Sequence, residues 1–358
     1  MLASSPWPRT GADSANSAST RINGPSVVTA VQRISLPMAS NQVKEQLPSG
    51  AMVAEDRSLR VVSDGFLSAV EERGALRWTC DLHTLDVDSE RPFFHSFPAV
   101  LANGDTVILV RNALVRFDQE GKLVGVVEDE PIVQDSPLSP NVTSDGDIVV
   151  ASLLGDIVLW QPQGLRQLEA RGLGYDLETP TLFADDSLAV AGYTGWGLCR
   201  VDLDGTVRWQ TAHRDFDLVP CIGPDQCIAV GSLNGAFSAI FSADGAILGT
   251  YDHAAMFAVH PGGGWIASSR HEIASLTPTG RCLWRHRLEM GDRLGTHAPS
   301  VDGAGRVYAR HLGGVVCHEA NGAVLFDYPV AFTHSAPLSL VAEGVLALVS
   351  EHQLLLLR

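Results

Sequence analysis

Four histidines and one aspartate stand out in this sequence because each lies a few residues before a short apolar segment. They are His95, His253, His297, His334 and Asp217. An isolated imidazole exchanges a proton near pH 6.5, and general acid–base catalysis requires an acid and a base within reach of one reacting group. We predict that His297 and His334 are the acid and the base, and that the other three residues orient them or contact the ligand.

A second set of residues could bind a polar or anionic molecule beside these histidines. Guanidinium groups pair with carboxylates and phosphates, and aromatic rings often line small-molecule pockets. The predicted binding residues are Arg111, Arg270, Arg310, Tyr193, Trp196, Asp176, Glu178 and His311. This combination favours the chemistry of a lyase, cyclase, isomerase or hydrolase.

The four histidines could instead bind one metal ion, because imidazole is a good ligand for Fe, Zn, Cu and Ni. Their spacing is uneven: His95 and His334 lie three residues before a proline, whereas His297 lies two residues before one. Side chains alternate along a strand, so these offsets would not direct all the rings to one point. We therefore expect no metal and no other cofactor, and keep His95, His253, His297 and His334 as an alternative ligand set.

A repeat of about 40 residues positions these side chains. Its marker is a turn glycine followed four positions later by a large apolar residue, at Gly74/Trp78, Gly164/Leu168, Gly205/Trp209, Gly280/Trp284 and Gly322/Phe326. Gly121 and Gly245 are turn glycines without the large residue. Successive marker glycines lie between 35 residues (Gly245 to Gly280) and 47 residues (Gly74 to Gly121) apart. This is the length of one four-stranded blade of a β-propeller.

A second marker is a proline before the first strand of each copy. It occurs in seven copies, and an eighth copy, near Met256 and Phe257, lacks it. The prolines are Pro48, Pro98, Pro140, Pro180, Pro220, Pro299 and Pro337. Residues 336–358 contain only three strands, and a strand within Val27–Leu36 can supply the fourth. We predict an all-β fold, an eight-bladed propeller of four-stranded antiparallel blades closed by the N- and C-terminal strands. Seven blades is the alternative.

The histidines divide unevenly between the two faces of such a ring. We call top face the one that carries the loops between blades and the loops between second and third strands, and bottom face the one that carries the other turns. By this assignment nine of the twelve histidines lie on the top face, at 83, 95, 213, 253, 271, 297, 311, 334 and 352. Only His260 falls in a bottom turn. The predicted site is therefore the top mouth of the central channel.

Composition limits the partners and the compartment. The net charge of −16 and the pI near 5.1 argue against binding to nucleic acid or to an anionic membrane. Residues 1–21 are rich in Ser, Ala, Asn and Thr, so we predict a flexible tail there and a single propeller domain over residues 22–358. Removal of residues 1–20 should then leave the melting temperature nearly unchanged. The start lacks a basic segment followed by an apolar core, which indicates a cytoplasmic protein with free thiols.

The end of each repeat resembles that of a known family. Asp202, Gly205 and Trp209 form an Asp-x-x-Gly-x-x-x-Trp pattern after a proline-led first strand. This pattern resembles the PQQ-like propeller repeat of the quinoprotein alcohol dehydrogenases and of the propeller-type outer-membrane assembly lipoproteins. The resemblance implies the fold alone. The quinone enzymes carry vicinal cysteines, which are missing here, and the lipoproteins carry a lipid-bearing cysteine near the start, whereas the first cysteine here is Cys80. We therefore expect neither quinone binding nor a quinone-dependent dehydrogenase.

Three functions remain open from the sequence. The favoured one is an enzyme or ligand-binding protein that acts on a small polar or anionic molecule by acid–base chemistry at the top mouth. The second is a non-catalytic scaffold with a protein partner, which should expose an apolar or aromatic patch. The third is a metalloenzyme with histidine ligands.

Overall fold

Eight antiparallel sheets form a ring, and each is one blade of a β-propeller. The computed structural model describes residues 1–5, 7–9, 11–38, 48–87, 96–128, 139–151, 155–168, 175–194, 197–211, 216–288, 298–330, 336–350 and 352–358. For Tyr175, Asp176, Tyr193, Thr194 and Pro224 it describes the backbone only. The predicted all-β, eight-bladed propeller is confirmed, and seven blades is excluded.

Each blade runs from an innermost strand at the channel to an outermost strand at the rim. Blade 1 contains β2 (Met52–Val53), β3 (Leu59–Ser63), β4 (Phe66–Val70) and β5 (Leu76–Asp81). Blade 2 contains β6 (Ala99–Val100), β7 (Thr106–Val110), β8 (Ala113–Phe117) and β9 (Leu123–Glu128). Blade 3 contains β10 (Asn141–Val142), β11 (Ile148–Ala151), β12 (Ile157–Gln161), β13 (Gly164–Leu168). Blade 4 has a divided first strand and contains β14 (Tyr175–Leu177), β15 (Thr181–Leu182), β16 (Leu188–Thr194), β17 (Gly197–Val201), β18 (Val207–Gln210).

The second half of the ring follows the same order. Blade 5 contains β19 (Cys221–Ile222), β20 (Ile228–Ser232), β21 (Phe237–Phe241), β22 (Ile247–Tyr251), and blade 6 contains β23 (Met256–Val259), β24 (Trp265–Ser268), β25 (Glu272–Leu276), β26 (Cys282–Arg287). Blade 7 contains β27 (Ser300–Val301), β28 (Val307–His311), β29 (Gly314–His318), β30 (Val324–Pro329). Blade 8 contains β31 (Ser339–Ala342), β32 (Val345–Ser350), β33 (Gln353–Leu357) and, outermost, β1 (Val31–Ser35). Two short 3₁₀ segments are Leu82–Thr84 and Pro224–Gln226.

Burial along the strands explains why the sequence pattern differs between them. The middle strands are covered on both faces by neighbouring blades, so β7 and β20 are buried at every position and are mostly apolar. The outer strands are covered on one face only, and β26 accordingly alternates between half-buried and exposed residues. None of the described residues form a helix long and apolar enough to cross a membrane. All six cysteines are free thiols.

The two chain ends meet in blade 8 and close the ring, as predicted. Strand β1 pairs antiparallel with β33, from Val31 opposite Leu357 to Ser35 opposite Gln353. Ile34 is 7 % exposed and lies in the largest apolar cluster, together with Leu346, Leu348 and Leu355. The closed ring leaves no sheet edge open between its first and last blades.

The glycine-and-tryptophan marker holds neighbouring blades together. The Trp209 indole nitrogen in blade 4 donates a hydrogen bond to the Ala243 carbonyl oxygen in blade 5 at 2.9 Å. A Cβ at Gly245 would lie 2.8 Å from the Trp209 ring, and its φ of +87° also favours glycine. Equivalent pairs join blade 1 to blade 2 and blade 6 to blade 7 (Trp78 with Gln119 and Gly121, Trp284 with Ala320 and Gly322). The bulky residue of one repeat therefore packs on the glycine of the next.

Replacing Trp209 by alanine is expected to lower the free energy of unfolding by about 2–4 kcal/mol. The ring is half-buried, so the loss should be below that of a fully buried tryptophan. Trp209→Phe keeps most of the packing and loses the hydrogen bond, which should cost about 1 kcal/mol. Urea unfolding followed by circular dichroism measures both values. A Trp209→Ala protein that unfolds at the wild-type midpoint would show that this contact does not hold blades 4 and 5 together.

The first 24 residues, which we call the N-terminal segment, follow the inner rim of the ring. Backbone N–H groups of the inner strands donate hydrogen bonds to carbonyl oxygens of this segment. Both the donors and the acceptors follow the order of the chain. The pairs are Val53 to Trp7, Val100 to Pro8, Leu182 to Ser14, Ile222 to Ala15, Val259 to Ser17 and Val301 to Ala18, and Gly344 donates to Asn23. These donors lie at or beyond the bottom ends of the inner strands. The segment therefore lines the bottom end of the central channel.

This placement differs from the flexible tail expected for residues 1–21. Trp7, Ala12, Asn16 and Ala18 are buried, and Trp7 packs in the cluster that contains Met52 and Phe97. A sequence rich in small polar residues usually lacks the apolar surface needed to fold. In this ring the small side chains of the segment pack beside the inner strands. The hydrogen bonds that hold the segment join backbone groups, which every sequence has.

Candidate functional site

Several predicted site residues lie where the structure makes no statement about their side chains. His95, His297, His334 and Trp196 lie outside the described residues. Tyr193 and Asp176 are described by their backbone only, in β16 and β14. The predicted acid and base therefore stay predictions. What can be described is the part of the top face formed by the remaining predicted residues and their neighbours.

Two predicted residues, Asp217 and Arg111, support loops of the top face. Asp217 accepts hydrogen bonds from the Leu233 backbone nitrogen at 2.6 Å and from the Asn234 side chain at 3.1 Å, which fixes the turn between β20 and β21. Arg111 donates from Nη1 to the Val87 carbonyl oxygen at 2.6 Å. In these contacts Asp217 and Arg111 hold loops around the channel mouth, so their described hydrogen bonds have a structural role.

His311 has a similar position in blade 7. Its Nε2 lies 2.8 Å from an Asp327 carboxylate oxygen, and its Nδ1 accepts a hydrogen bond from the Gly313 nitrogen at 3.2 Å. The Gly313 contact makes Nδ1 the acceptor, so Nε2 carries the ring proton and donates the hydrogen bond that Asp327 accepts. His311 therefore stabilises the turn between β28 and β29.

The arginines differ in exposure. Arg270 is exposed on the turn between β24 and β25. Arg310 is buried and donates from Nη1 to the Ala336 carbonyl oxygen of blade 8. Burial lowers the pKa of Arg310 to about 9, since the charged form loses its hydration. Glu178 is half-buried between β14 and β15, the two parts of the blade 4 inner strand. Arg270 is therefore the described arginine of this set that is open to a ligand.

His253 belongs to a cluster of ionisable groups on the top face, at the junction of blades 5 and 6. Its Nε2 lies 3.6 Å from Oε1 of Glu272, and the same oxygen accepts a hydrogen bond from the Tyr251 hydroxyl at 2.5 Å. Nη1 of Arg285 lies 3.7 Å from that oxygen. We call Tyr251, His253, Glu272 and Arg285 the Glu272 cluster.

Three strands and one short loop position this cluster. Tyr251 ends β22, Glu272 begins β25, and Arg285 lies in β26. His253 lies in the loop between β22 and β23, where the Ser238 hydroxyl donates to its carbonyl oxygen at 2.7 Å and accepts from the Ala255 nitrogen at 3.0 Å. The Tyr251 and His253 rings meet edge to face, 5.3 Å apart. The imidazole is thus held by its own loop and by its aromatic neighbour.

Burial and charge divide the Glu272 cluster into a protected and an accessible part. The Glu272 side chain is 5 % exposed, whereas those of His253 and Arg285 are 41 % and 54 % exposed. Burial and the hydrogen bond to Glu272 raise the pKa of Tyr251, so its hydroxyl stays protonated and donates. The contact with the Cys282 thiol, followed by the charge of Glu272, raises the pKa of Arg285. A buried carboxylate thus lies behind a solvent-accessible imidazole and guanidinium.

The sequence analysis missed Tyr251, Glu272 and Arg285. Glu272 carried one usable signal in the sequence, because it begins a mostly apolar strand segment, Glu272–Leu276, and a glutamate is rarely buried without a partner. The structure shows that every residue of this strand is buried. Tyr251 and Arg285 carried none, since polar and aromatic residues are common throughout the outer strands. Their proximity depends on how blades 5 and 6 pack.

No group of three or more histidine, cysteine, aspartate or glutamate residues with metal-binding geometry occurs in the part of the chain that the structure describes. Of the four histidines of the alternative ligand set, only His253 lies within that part.

Comparisons with known proteins support the fold. No family model matches the chain, and no curated protein matches it. Solved structures that resemble it include BamB from Moraxella catarrhalis, with 16% identity, a TM-score of 0.68 and coverage of 92% of this chain and 99% of that one. Virginiamycin B lyase from Staphylococcus aureus has 13% identity, a TM-score of 0.56 and coverage of 92% and 99%. The dihydro-heme d1 dehydrogenase NirN has 14% identity, a TM-score of 0.58 and coverage of 80% and 67%. The TM-scores and coverages show a shared propeller fold, and at these low identities the comparison extends to the fold alone.

Proposed function

We propose that the protein binds a small polar or anionic molecule at its top face and converts it by acid–base chemistry. The observation that carries this proposal is the Glu272 cluster, in which a buried carboxylate lies beside an accessible imidazole. Such a base-and-orienter pair is the arrangement used to move protons at active sites. The reaction class would be that of a lyase, cyclase, isomerase or hydrolase.

Each group of the cluster has a role in this proposal. His253 exchanges a proton with the bound molecule from its accessible edge. Glu272 accepts from Tyr251 and compensates the positive charge that His253 gains. Arg285 and the exposed Arg270 attract the negative end of the ligand. His297 and His334 remain in the proposal as the acid and base indicated by the sequence.

Two of the solved structures that share this fold support an enzymatic role. Virginiamycin B lyase and the dehydrogenase NirN are named as enzymes, which is compatible with catalysis on this fold. Propeller folds host many unrelated functions, so the site has to carry the argument.

His253→Gln and Glu272→Gln are expected to weaken ligand binding by about tenfold or more, and turnover by about 10²-fold, where a substrate is found. The probes are succinate, glucose 6-phosphate and virginiamycin B, the compound in the name of the lyase. The shift in melting temperature with each probe is measured at pH 5.5, 6.5 and 7.5, because a site built on histidines responds within this range.

The matched control is His352→Gln, which changes an exposed histidine of the top face in blade 8. It should bind each probe as the wild type does. Identical shifts for the wild type, both cluster variants and this control would place the site outside the Glu272 cluster. The double variant His297→Ala, His334→Ala then tests the residues predicted from the sequence.

A second candidate function is a scaffold for a protein partner, which the exposed outer strand of blade 2 favours. Leu123, Val124 and Val126 of β9 are 42 %, 51 % and 38 % exposed, and this edge strand has only one charged residue, Glu128. Open apolar edges of this kind pair with other strands. If a second copy pairs there, the wild type should sediment as a dimer and the double variant Val124→Lys, Val126→Lys as a monomer. A wild type that stays monomeric at high concentration would count against self-pairing at this edge.

A further inference from the structure

A buried positive charge lies inside the ring, on Arg9 of the N-terminal segment. Arg9 is 2 % exposed, and its guanidinium reaches the inner strand of blade 3. There Nε donates to the Pro140 carbonyl oxygen and Nη2 to the Ser139 carbonyl oxygen, both at 3.3 Å. Nη1 donates to the Asp13 carbonyl oxygen at 2.7 Å. The three contacts are therefore with neutral oxygens.

These contacts satisfy hydrogen-bond donors, but no carboxylate of the described residues forms an ion pair with the guanidinium. Burial lowers the pKa of Arg9 to about 10. Among the described residues the opposing charge that acts on it is Asp13, whose carboxylate accepts from the Ser17 nitrogen at 2.9 Å and the Ser17 hydroxyl at 2.6 Å. Taking a charge out of water is costly unless it is paired, and a guanidinium pairs best with a carboxylate or phosphate.

A second, independent observation lies on the next blade. Thr179 is 2 % exposed, and its hydroxyl has no hydrogen-bond partner among the described residues. Thr179 precedes Pro180 as Ser139 precedes Pro140, so the two residues occupy equivalent positions in blades 4 and 3. The Asn141 side chain joins these positions by donating to the Pro180 carbonyl oxygen at 2.9 Å. A buried cation thus contacts the residues before the inner strand of blade 3, and a buried unpartnered hydroxyl lies at the equivalent position of blade 4.

We propose that the central channel binds an oxyanion, a carboxylate or a phosphate group, between blades 3 and 4, held by Arg9 and the Thr179 hydroxyl. The two N–H bonds of Arg9 that the carbonyl oxygens leave open, one on each Nη, can bind both oxygens of such a group. This site is separate from the Glu272 cluster and does not depend on the catalysis proposed there.

The proposal also gives the N-terminal segment a role in binding. Arg9 belongs to the segment, whereas Thr179 belongs to the ring. An anion that contacts both would hold the segment in place, so the ligand and the docked segment should stabilise each other.

The test uses acetate and inorganic phosphate as probes, at pH 7.5 and constant ionic strength set with sodium chloride. The melting temperature of the wild type should rise and saturate with at least one probe; acetate alone indicates a carboxylate ligand and phosphate alone a phosphoryl ligand. Thr179→Val, which keeps the side-chain shape, should weaken the response at least tenfold. Arg9→Met should abolish it. Arg9→Lys keeps the charge and covers the case in which Arg9→Met does not fold, and it should retain a weaker, saturable response.

Two controls separate this site from other effects. Arg73→Met removes an exposed arginine and should respond as the wild type does. Glu272→Gln should also respond as the wild type does, so a failure of the proposed catalytic cluster would not affect this result. Equal, non-saturating rises in all proteins, or a wild-type response in both Thr179→Val and an Arg9 variant, would overturn the proposal.

Discussion

Removal of residues 1–20 is expected to lower the free energy of unfolding by more than about 5 kcal/mol. Truncating a fully buried tryptophan alone costs about 3–5 kcal/mol, and Trp7 is 2 % exposed. The truncation also leaves six inner-strand N–H groups without their partners, those of Val53, Val100, Leu182, Ile222, Val259 and Val301. Each lost hydrogen bond adds about 0.5–1.5 kcal/mol where water does not replace it. The expectation from composition, an unchanged melting temperature, is thereby reversed.

Urea unfolding of the truncated protein measures this effect, with two point variants for comparison. Trp7→Ala should reproduce a large part of the loss. Ser4→Ala changes an exposed residue of the same segment and should leave the unfolding midpoint nearly unchanged. A truncated protein with the wild-type midpoint would mean that the segment does not dock on the ring in solution.

Ile34→Asp is expected to destabilise the ring by about 3–5 kcal/mol, because it places an unpaired charge in an apolar cluster. Ile34 is 7 % exposed and lies opposite Leu354 in the pairing of β1 with β33. This pairing joins the two chain ends, so its loss also opens the ring between blades 8 and 1. We expect an increased hydrodynamic radius in addition to a lower melting temperature.

The matched control is Arg33→Asp, which introduces the same residue one position earlier in the same strand. Arg33 is exposed, so its replacement should leave the melting temperature close to that of the wild type. Size-exclusion chromatography and thermal unfolding compare the two variants. Equal stability of both would show that β1 does not close the ring.

The Glu272 cluster shows why the sequence identified only part of the candidate site. His253 and Arg270 were predicted, because polar residues in top-face loops can be assigned from the repeat alone. Tyr251, Glu272 and Arg285 were missed, since they come from three strands of two blades. The distances from Glu272 to Tyr251 and His253, 2.5 and 3.6 Å, follow from the packing of blade 5 on blade 6, whereas the 3.7 Å distance to Arg285 follows from the pairing of β25 with β26. No spacing along the chain encodes that packing.

Asp217 and His311 show the converse. Both were predicted as functional from their type and position, and both lie on the top face. In the structure Asp217 bonds to Leu233 and Asn234, and His311 bonds to Asp327 and Gly313. The sequence places a polar residue in a loop, but the partner that it finds there depends on the path of the loop.

The all-β fold, the eight blades and the closure of the ring by β1 could be predicted from the amino-acid sequence. These features depend on local rules, namely strand alternation, turn glycines and the period of the repeat. The path of residues 1–24, the burial of Arg9 and the assembly of the Glu272 cluster are seen only in the folded ring. They depend on backbone hydrogen bonds, which any sequence can form, and on contacts between strands and blades that the repeat does not specify.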